Sequence, residues 1–262
     1  MKKIVIAYHV YMYGNRYMEM IIDQLRKINN AVVLKDGTME KNLIPICHKL
    51  YIGIVDTPDK KPDYGVEWLS GWFENHSSKI INATADSKVE VVLYPDNLEL
   101  RRTLWWIRDY AKENPDDYIL FFHTKGITHF TKATEDWRKY MEYFVIERWK
   151  DCVAKLDEGY DACGVLWNKY TPVGYFPHFS GSFYWAKASY INTLDHYYID
   201  SAWRYHMEFW IGNNPNGKIY EFHNSRLNDK DSLIAGKGHY DVEYPRIKYV
   251  ENGNNTCDLH GI

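Results

Sequence analysis

His123, Thr124 and Lys125 follow directly on an uninterrupted apolar run, Tyr118-Ile119-Leu120-Phe121-Phe122, and Gly126 follows them. An imidazole can move a proton or ligate a metal. A lysine ammonium can neutralise phosphate oxygens, and a glycine lets the backbone turn closely around a ligand. A short apolar run bounded by polar residues fits a strand buried on both faces, as in the middle of a parallel sheet. Ligands of open α/β sheets bind outside the carboxyl ends of the strands, which is where these residues fall. The plainer reading is a strand-to-loop exit with a solvated lysine and a turn glycine.

Other residues of the same chemical kind lie at expected strand ends or on flanking loops. Tyr8 and His9 follow the apolar run 4–7. His178 and Ser180 lie with Gly181 in an aromatic segment that also holds Trp185, and Glu208 sits on a late expected helix. Moving a sugar off a diphosphate needs groups of these types. Positive charge or a metal must stabilise the leaving diphosphate, and a carboxylate or histidine must take a proton from the attacking hydroxyl.

The elements that would hold these groups alternate. After the first strand, 4–7, the spacing of Tyr17, Ile21, Leu25 and Ile28 predicts a helix over 16–28. Strands are expected over 50–55 and 90–93, and 57–64 reads as a loop. Asn97 is the expected N-cap of the next helix. Glu99 would lie in its first turn, where a negative charge meets the positive end of the dipole. Leu100, Leu104, Ile107 and Ala111 give that helix one apolar face, and the buried strand 118–122 follows. A long helix is expected over 135–156 with Met141, Phe144, Val145, Trp149, Cys152 and Leu156 on one face. A strand over 162–167 and short helices over 187–194 and 201–211 complete the pattern. β-α-β alternation of this kind argues for a mostly parallel sheet flanked by helices.

Composition narrows the function classes. The chain has 262 residues, 45% hydrophobic and 26% charged, which is ordinary for a globular protein. Aromatic residues reach 16%, with 23 Tyr and 10 Trp, and their faces stack on sugars and bases. The formal charge of -3 argues against a general nucleic-acid binder. No run approaches the length needed to span a membrane. The first residues read as a strand rather than a signal peptide. The four cysteines form no C-x-x-C pair, and Cys152 and Cys163 read as buried thiols in a reducing compartment. The sequons at Asn75, Asn82 and Asn254 are therefore expected to be idle. G-x-G-x-x-G, a Walker phosphate loop, H-E-x-x-H and G-x-S-x-G are all absent from the sequence.

Five segments in order carry a family resemblance: Tyr8-His9-Val10-Tyr11, His123-Thr124-Lys125-Gly126, Trp137-Arg138-Lys139-Tyr140-Met141, His178 to Ala186, and Glu208-Phe209-Trp210-Ile211. Together they resemble GT-A-type glycosyltransferases of large DNA viruses and microbial polysaccharide clusters. The resemblance covers roughly 3–211 and implies a GT-A-like, Rossmann-like α/β fold in a single domain, taken as 1–211, while the Gly-, Asn-, Asp- and Lys-rich residues 212–262, which show little periodicity, read as a loop-rich extension packed on it. It implies a nucleotide-diphosphate sugar as donor and a glycan or other hydroxyl as acceptor. The expected location is the cytoplasm of a cell or of an infected host. By the same resemblance Glu208 is the catalytic carboxylate of an inverting displacement, helped by Lys125 and His123. Tyr8, His9, Glu99, Thr124 and Gly126 would meet the nucleotide sugar, and His178, Ser180, Gly181 and Trp185 would line the sugar or acceptor pocket.

Typical members carry Asp-x-Asp where this chain has His123-Thr124-Lys125. Either Lys125 replaces the metal's charge, or His123 ligates a divalent manganese or magnesium ion. Two rivals keep the architecture: a non-catalytic carbohydrate-binding protein, and a nucleotidyltransferase, whose Gly- and Lys-rich first loop is missing after Ile6.

Overall fold

The computed structural model describes residues 2–14, 16–29, 32–33, 39–40, 46–55, 69, 71–73, 88–94, 97–169, 176–227 and 237–250. The loop 57–64, the three sequons and Cys257 lie outside these residues. The described residues of Met1–Thr128 and Lys187–Asn192 form one compact unit, and those of His129–Ala186 and Thr193–Ile262 form a second.

The first unit is an α/β layer built on parallel strands. Its elements are β1 (Ile4–Tyr11), α1 (Tyr17–Asn29), the short antiparallel pair β2 (Val32–Val33) and β3 (Met39–Glu40), β4 (Cys47–Val55), β5 (Lys88–Tyr94), α2 (Arg101–Glu113) and β6 (Tyr118–His123). The main strands lie in the order β6-β1-β4-β5, and every pairing among them is parallel. β1 and β6 are buried on both faces, so their sequences read as continuous apolar runs without alternation. α1 turns Tyr17, Ile21, Leu25 and Ile28 inward, as its periodicity predicts.

α2 differs from expectation at its start. Glu99 has φ 54, in the left-handed region, so helical geometry begins only at Arg101. Asn97 accepts the Glu99 N–H through its side chain and donates to the Tyr11 hydroxyl, which makes a turn rather than a helix cap. Glu99 therefore lies ahead of the first helical turn. Leu104, Ile107 and Ala111 are buried as expected. The helix ends at Asn114, ahead of Pro115, and a short helix from Lys187 onward is tied beneath it. There the Ala188 N–H donates to the Asp117 carbonyl at 2.9 Å, and Asn192 Nδ2 to the Ala111 carbonyl at 2.8 Å.

In the second unit the long helix expected over 135–156 is broken. α3 (Lys132–Glu142) starts earlier, because Thr131 and Thr134 form a reciprocal capping box. A π-helical turn, Tyr143–Glu147, follows, then Arg148 with φ −103, then α4 (Trp149–Asp157). The wider turn shifts the helical phase, so Trp149 is only half-buried, whereas Phe144, Val145, Cys152 and Leu156 remain inside. Cys152 and Cys163 are buried free thiols. Inside α3 Arg138 and Glu142 form a buried ion pair at 2.6 Å.

β7 (Ala162–Gly164) is followed by β8 (Trp167–Asn168), β9 (His178–Phe179) and β10 (Tyr184–Lys187). Helices α5 (Ala188–Ile191), α6 (Tyr197–Asp200) and α7 (His206–Phe209) and a 3-10 turn, Trp210–Gly212, come next. β11 (Ile219–Glu221) and α8 (Ile247–Val250) complete the described chain. α5 belongs to the first unit. β7 pairs antiparallel with β10 and parallel with β11, so residues after 211 supply a strand of the second unit. β8 and β9 make a small antiparallel hairpin that sets Trp167 opposite Phe179 and Asn168 opposite His178. Among the described residues no helix is long and apolar enough to cross a membrane.

Candidate functional site

In the first unit the carboxyl ends of β1 and β6 are fastened side by side. The Thr124 N–H donates to the His9 carbonyl at 3.1 Å, and the Tyr11 N–H donates to Thr124 Oγ1 at 2.9 Å. Gln24 of α1, fully buried, accepts from the Tyr8 hydroxyl at 2.7 Å and donates to the His123 carbonyl at 3.1 Å. The chain then turns tightly. The Lys125 N–H reaches back to the His123 carbonyl at 2.8 Å, and Gly126 takes φ 83, a conformation that favours glycine. Thr124 is buried as the fastener, while His123, Lys125 and Gly126 are half-buried.

Two of the expected nucleotide contacts are core residues instead. β1 continues through Tyr8 and His9 to Tyr11, so neither residue is a loop residue at the strand's end. Tyr8 is fully buried, stacked on Phe122 with ring centroids 4.5 Å apart. His9 is 1% exposed, and its Nδ1 lies 2.8 Å from Thr103 Oγ1 on α2. Burial lowers its pKa to about 3, so the ring is neutral. His9 stands across from Gly53 on β4, where a Cβ would come within 2.5 Å of Thr103 Oγ1. The glycine makes room for the helix-to-strand hydrogen bond. His9 thus anchors α2 and has no surface for a ligand.

The second unit holds the remaining expected residues. His178 is buried, edge-on to Phe209 at 4.7 Å, with Nδ1 3.2 Å from the Phe176 carbonyl. Burial lowers its pKa, and the charge of Glu208 opposes that shift, so these two residues are neighbours. Ser180 is buried, and its N–H donates to the Leu166 carbonyl at 2.9 Å. Gly181 has φ 92, and a Cβ there would meet Met141 Sδ at 2.6 Å. Trp185, expected in the sugar pocket, is fully buried, and its indole N–H donates to the Val145 carbonyl at 2.7 Å. It is a core residue that ties β10 to the π-helical turn.

A residue that sequence reasoning passed over completes this region. Glu221 ends β11, opposite Gly164 at the end of β7. Its Oε1 accepts the Trp167 N–H at 2.6 Å and Asn224 Nδ2 at 3.0 Å. Burial raises its pKa to about 7, although both hydrogen bonds and the charges of Arg226 and Lys169 pull it down. The chain is strained beside it, with Leu166 at φ 56 and Ser182 at φ 58, both non-glycine residues in the left-handed region. Gly212 is required here too, because a Cβ would stand 1.6 Å from the Pro177 carbonyl oxygen and 3.0 Å from the Trp167 ring.

A divalent ion is expected only through His123. Among the described residues no three His, Cys, Asp or Glu side chains gather into a metal-holding group.

A family model, Domain of unknown function (DUF8361), matches residues 73–199, a span that includes His123–Gly126 and His178–Trp185. No curated protein matches the sequence. Among solved structures the chain is similar to the crystal structure of 4-diphosphocytidyl-2C-methyl-D-erythritol synthase. The identity is 9%, the TM-score 0.31, and the match covers 90% of this chain and 97% of that one. So low a TM-score carries no argument about activity.

Proposed function

We propose that the chain is a nucleotide-sugar-dependent glycosyltransferase acting by inverting displacement on a glycan or other hydroxyl acceptor. The observation that carries this reading is the polar turn His123–Gly126, fastened to the carboxyl end of β1 by Thr124 on an all-parallel set of strands. The carboxyl ends of such strands are where open α/β sheets take nucleotides. The order of the five sequence segments supports the same reading.

Lys125 supplies positive charge to the leaving diphosphate, and His123 donates a hydrogen bond to it. The Gly126 turn lets the backbone come close to phosphate oxygens, and Glu99 meets the nucleoside. A carboxylate takes the acceptor's proton, the role that the resemblance gives to Glu208. His178, Ser180 and Gly181 shape the acceptor side.

Thermal melting against a panel of nucleoside diphosphates and their sugars tests this, each with manganese, magnesium or a chelator. A ligand that binds only the folded state raises the melting temperature by mass action. One diphosphate family should raise it, and Lys125→Ala should abolish most of that rise. No rise with any nucleotide overturns the proposal, and a glycan array would then examine the carbohydrate-binding alternative. The chelator arm reads out whether a divalent ion contributes.

A further inference from the structure

We infer that the exposed aromatic face of residues 197–209 is a saccharide-binding surface, which holds a neutral sugar chain by stacking it on Trp203, Tyr205 and Tyr197. The surface lies wholly within the second unit. Binding there needs no nucleotide, so the inference goes beyond the transferase reading and does not depend on it.

Large aromatic rings usually lie mostly inside a folded chain. Here Tyr197 is 62% exposed, Tyr205 47% and Trp203 39%. Their rings are braced rather than loose. The His206 ring sits among them, 4.6 Å from Trp203, 5.0 Å from Tyr198 and 5.9 Å from Tyr197. Trp203 also meets Tyr205 edge-on at 5.5 Å. The backbone beneath is held as well. The Trp203 N–H donates to Ser201 Oγ at 3.2 Å, and the His206 N–H donates to the Trp203 carbonyl at 3.1 Å. Rings fixed before a ligand arrives lose little freedom when it binds.

The surroundings select the occupant. A cationic ligand needs the space between several rings, and the His206 imidazole already fills it. A nucleic acid needs an excess of positive charge, whereas Asp195, Asp200 and Glu208 outnumber Arg204 along this stretch. The centre of a protein–protein contact is poor in charged side chains. Here Arg204 stands between Trp203 and Tyr205 in the chain, with its guanidinium 5.3 Å from the Tyr205 ring. A sugar suits what is left. Its C–H faces pack on aromatic rings, and its hydroxyls need donors and acceptors alongside. His206 supplies such a group. Its Nδ1 is enclosed, whereas Nε2 is open to solvent and makes no hydrogen bond among the described residues. Partial burial lowers its pKa, so the ring is neutral and can meet a hydroxyl without carrying a charge.

The rings also adjoin a residue that the proposed function gives to the acceptor side. Trp203 lies 6.3 Å from Phe209, and Phe209 stands edge-on to His178 at 4.7 Å. One row of ring contacts therefore joins the exposed face to His178.

The full chain is titrated calorimetrically, without nucleotide, with maltohexaose, cellohexaose, xylohexaose, mannohexaose and chitohexaose, each beside its own monosaccharide. At least one hexasaccharide should bind, about 10-fold or more tighter than its monosaccharide, because several rings share the chain. Trp203→Ala should weaken that binding about 10-fold or more and Tyr205→Ala about 3-fold, while Trp203→Phe should keep most of it. No binding of any of these hexasaccharides overturns the inference. Binding that Trp203→Ala and Tyr205→Ala both leave unchanged overturns it too, since the sugar then lies elsewhere. Self-association in sedimentation velocity that Trp203→Ala abolishes would give the face to a second copy of this chain, and overturns it as well. Should Trp203→Ala fail to fold, Tyr205→Ala decides alone, and an unchanged affinity there overturns the inference. None of these readouts depends on the nucleotide-induced melting rise that tests the transferase reading, so either can fail without the other.

Discussion

Thr124 Oγ1 accepts the backbone N–H of Tyr11 at 2.9 Å, across two parallel strands and 113 residues of sequence. A hydroxyl on one strand end thus closes the donor left open at the other. Thr124→Val keeps the shape and removes the acceptor, leaving the Tyr11 N–H without it. An unsatisfied buried donor costs about 1–3 kcal/mol. The melting temperature should fall by several degrees, and Thr124→Ser should restore most of it. A Thr124→Val protein that melts with wild type would show that the hydroxyl contributes nothing.

Trp185 and Val145 form the corresponding link in the second unit. The indole N–H reaches the carbonyl of a residue inside the π-helical turn at 2.7 Å. Such a turn widens the helix, and this side chain satisfies one of its carbonyls. Trp185→Phe removes the donor and leaves space in a fully buried site. We expect a loss of about 2–4 kcal/mol in chemical denaturation, combining the lost hydrogen bond with the cavity. A loss under about 1 kcal/mol would mean that the turn persists without the indole.

How much of this was legible in the sequence follows from what each signal depends on. The run Tyr118–Phe122 announced a doubly buried strand, and the spacing from Tyr17 to Ile28 announced a helix, because burial on a sheet or helix face leaves a periodic trace. Tyr8 and Trp185 looked like pocket residues, since an aromatic ring with a polar handle serves a core and a ligand equally well. Only the partners Gln24 and Val145, distant in sequence, decide between the two. The π-helical turn left Trp149 on an apparently continuous apolar face, as one widened turn barely alters a helical pattern. Glu221 escaped notice for a different reason. Its strand, Ile219-Tyr220-Glu221, has three residues in a polar stretch, too few to show a period, and it exists because β7 pairs with it.

Gly181 and Met141 make a further testable pair. Gly181 takes φ 92, and a Cβ there would stand 2.6 Å from Met141 Sδ. Gly181→Ala therefore meets both backbone strain and overpacking, together about 2–4 kcal/mol. Met141→Ala makes a cavity of its own, yet it also clears the space that the new methyl needs. The double variant should be less destabilised than the sum of the two single ones, by about 1 kcal/mol. Strict additivity would indicate that the strain at φ 92 alone sets the cost.

The last prediction follows from the raised pKa of Glu221. An acid with a folded-state pKa of about 7 and an ordinary value of 4.5 holds its proton more tightly in the folded protein than in the unfolded chain. Its contribution to stability is complete below about 4.5 and is lost as the pH rises through about 7. At pH 8 the folded protein keeps a partly buried carboxylate that the unfolded chain would hydrate freely. Glu221→Gln removes the ionisation and retains an oxygen for the Trp167 N–H. The variant should therefore be more stable than wild type at pH 8, by at most about 3 kcal/mol. The advantage should shrink through pH 6 and vanish near pH 4.5. Urea melts of both proteins at these three pH values measure it. A difference that does not change with pH would remove the raised pKa.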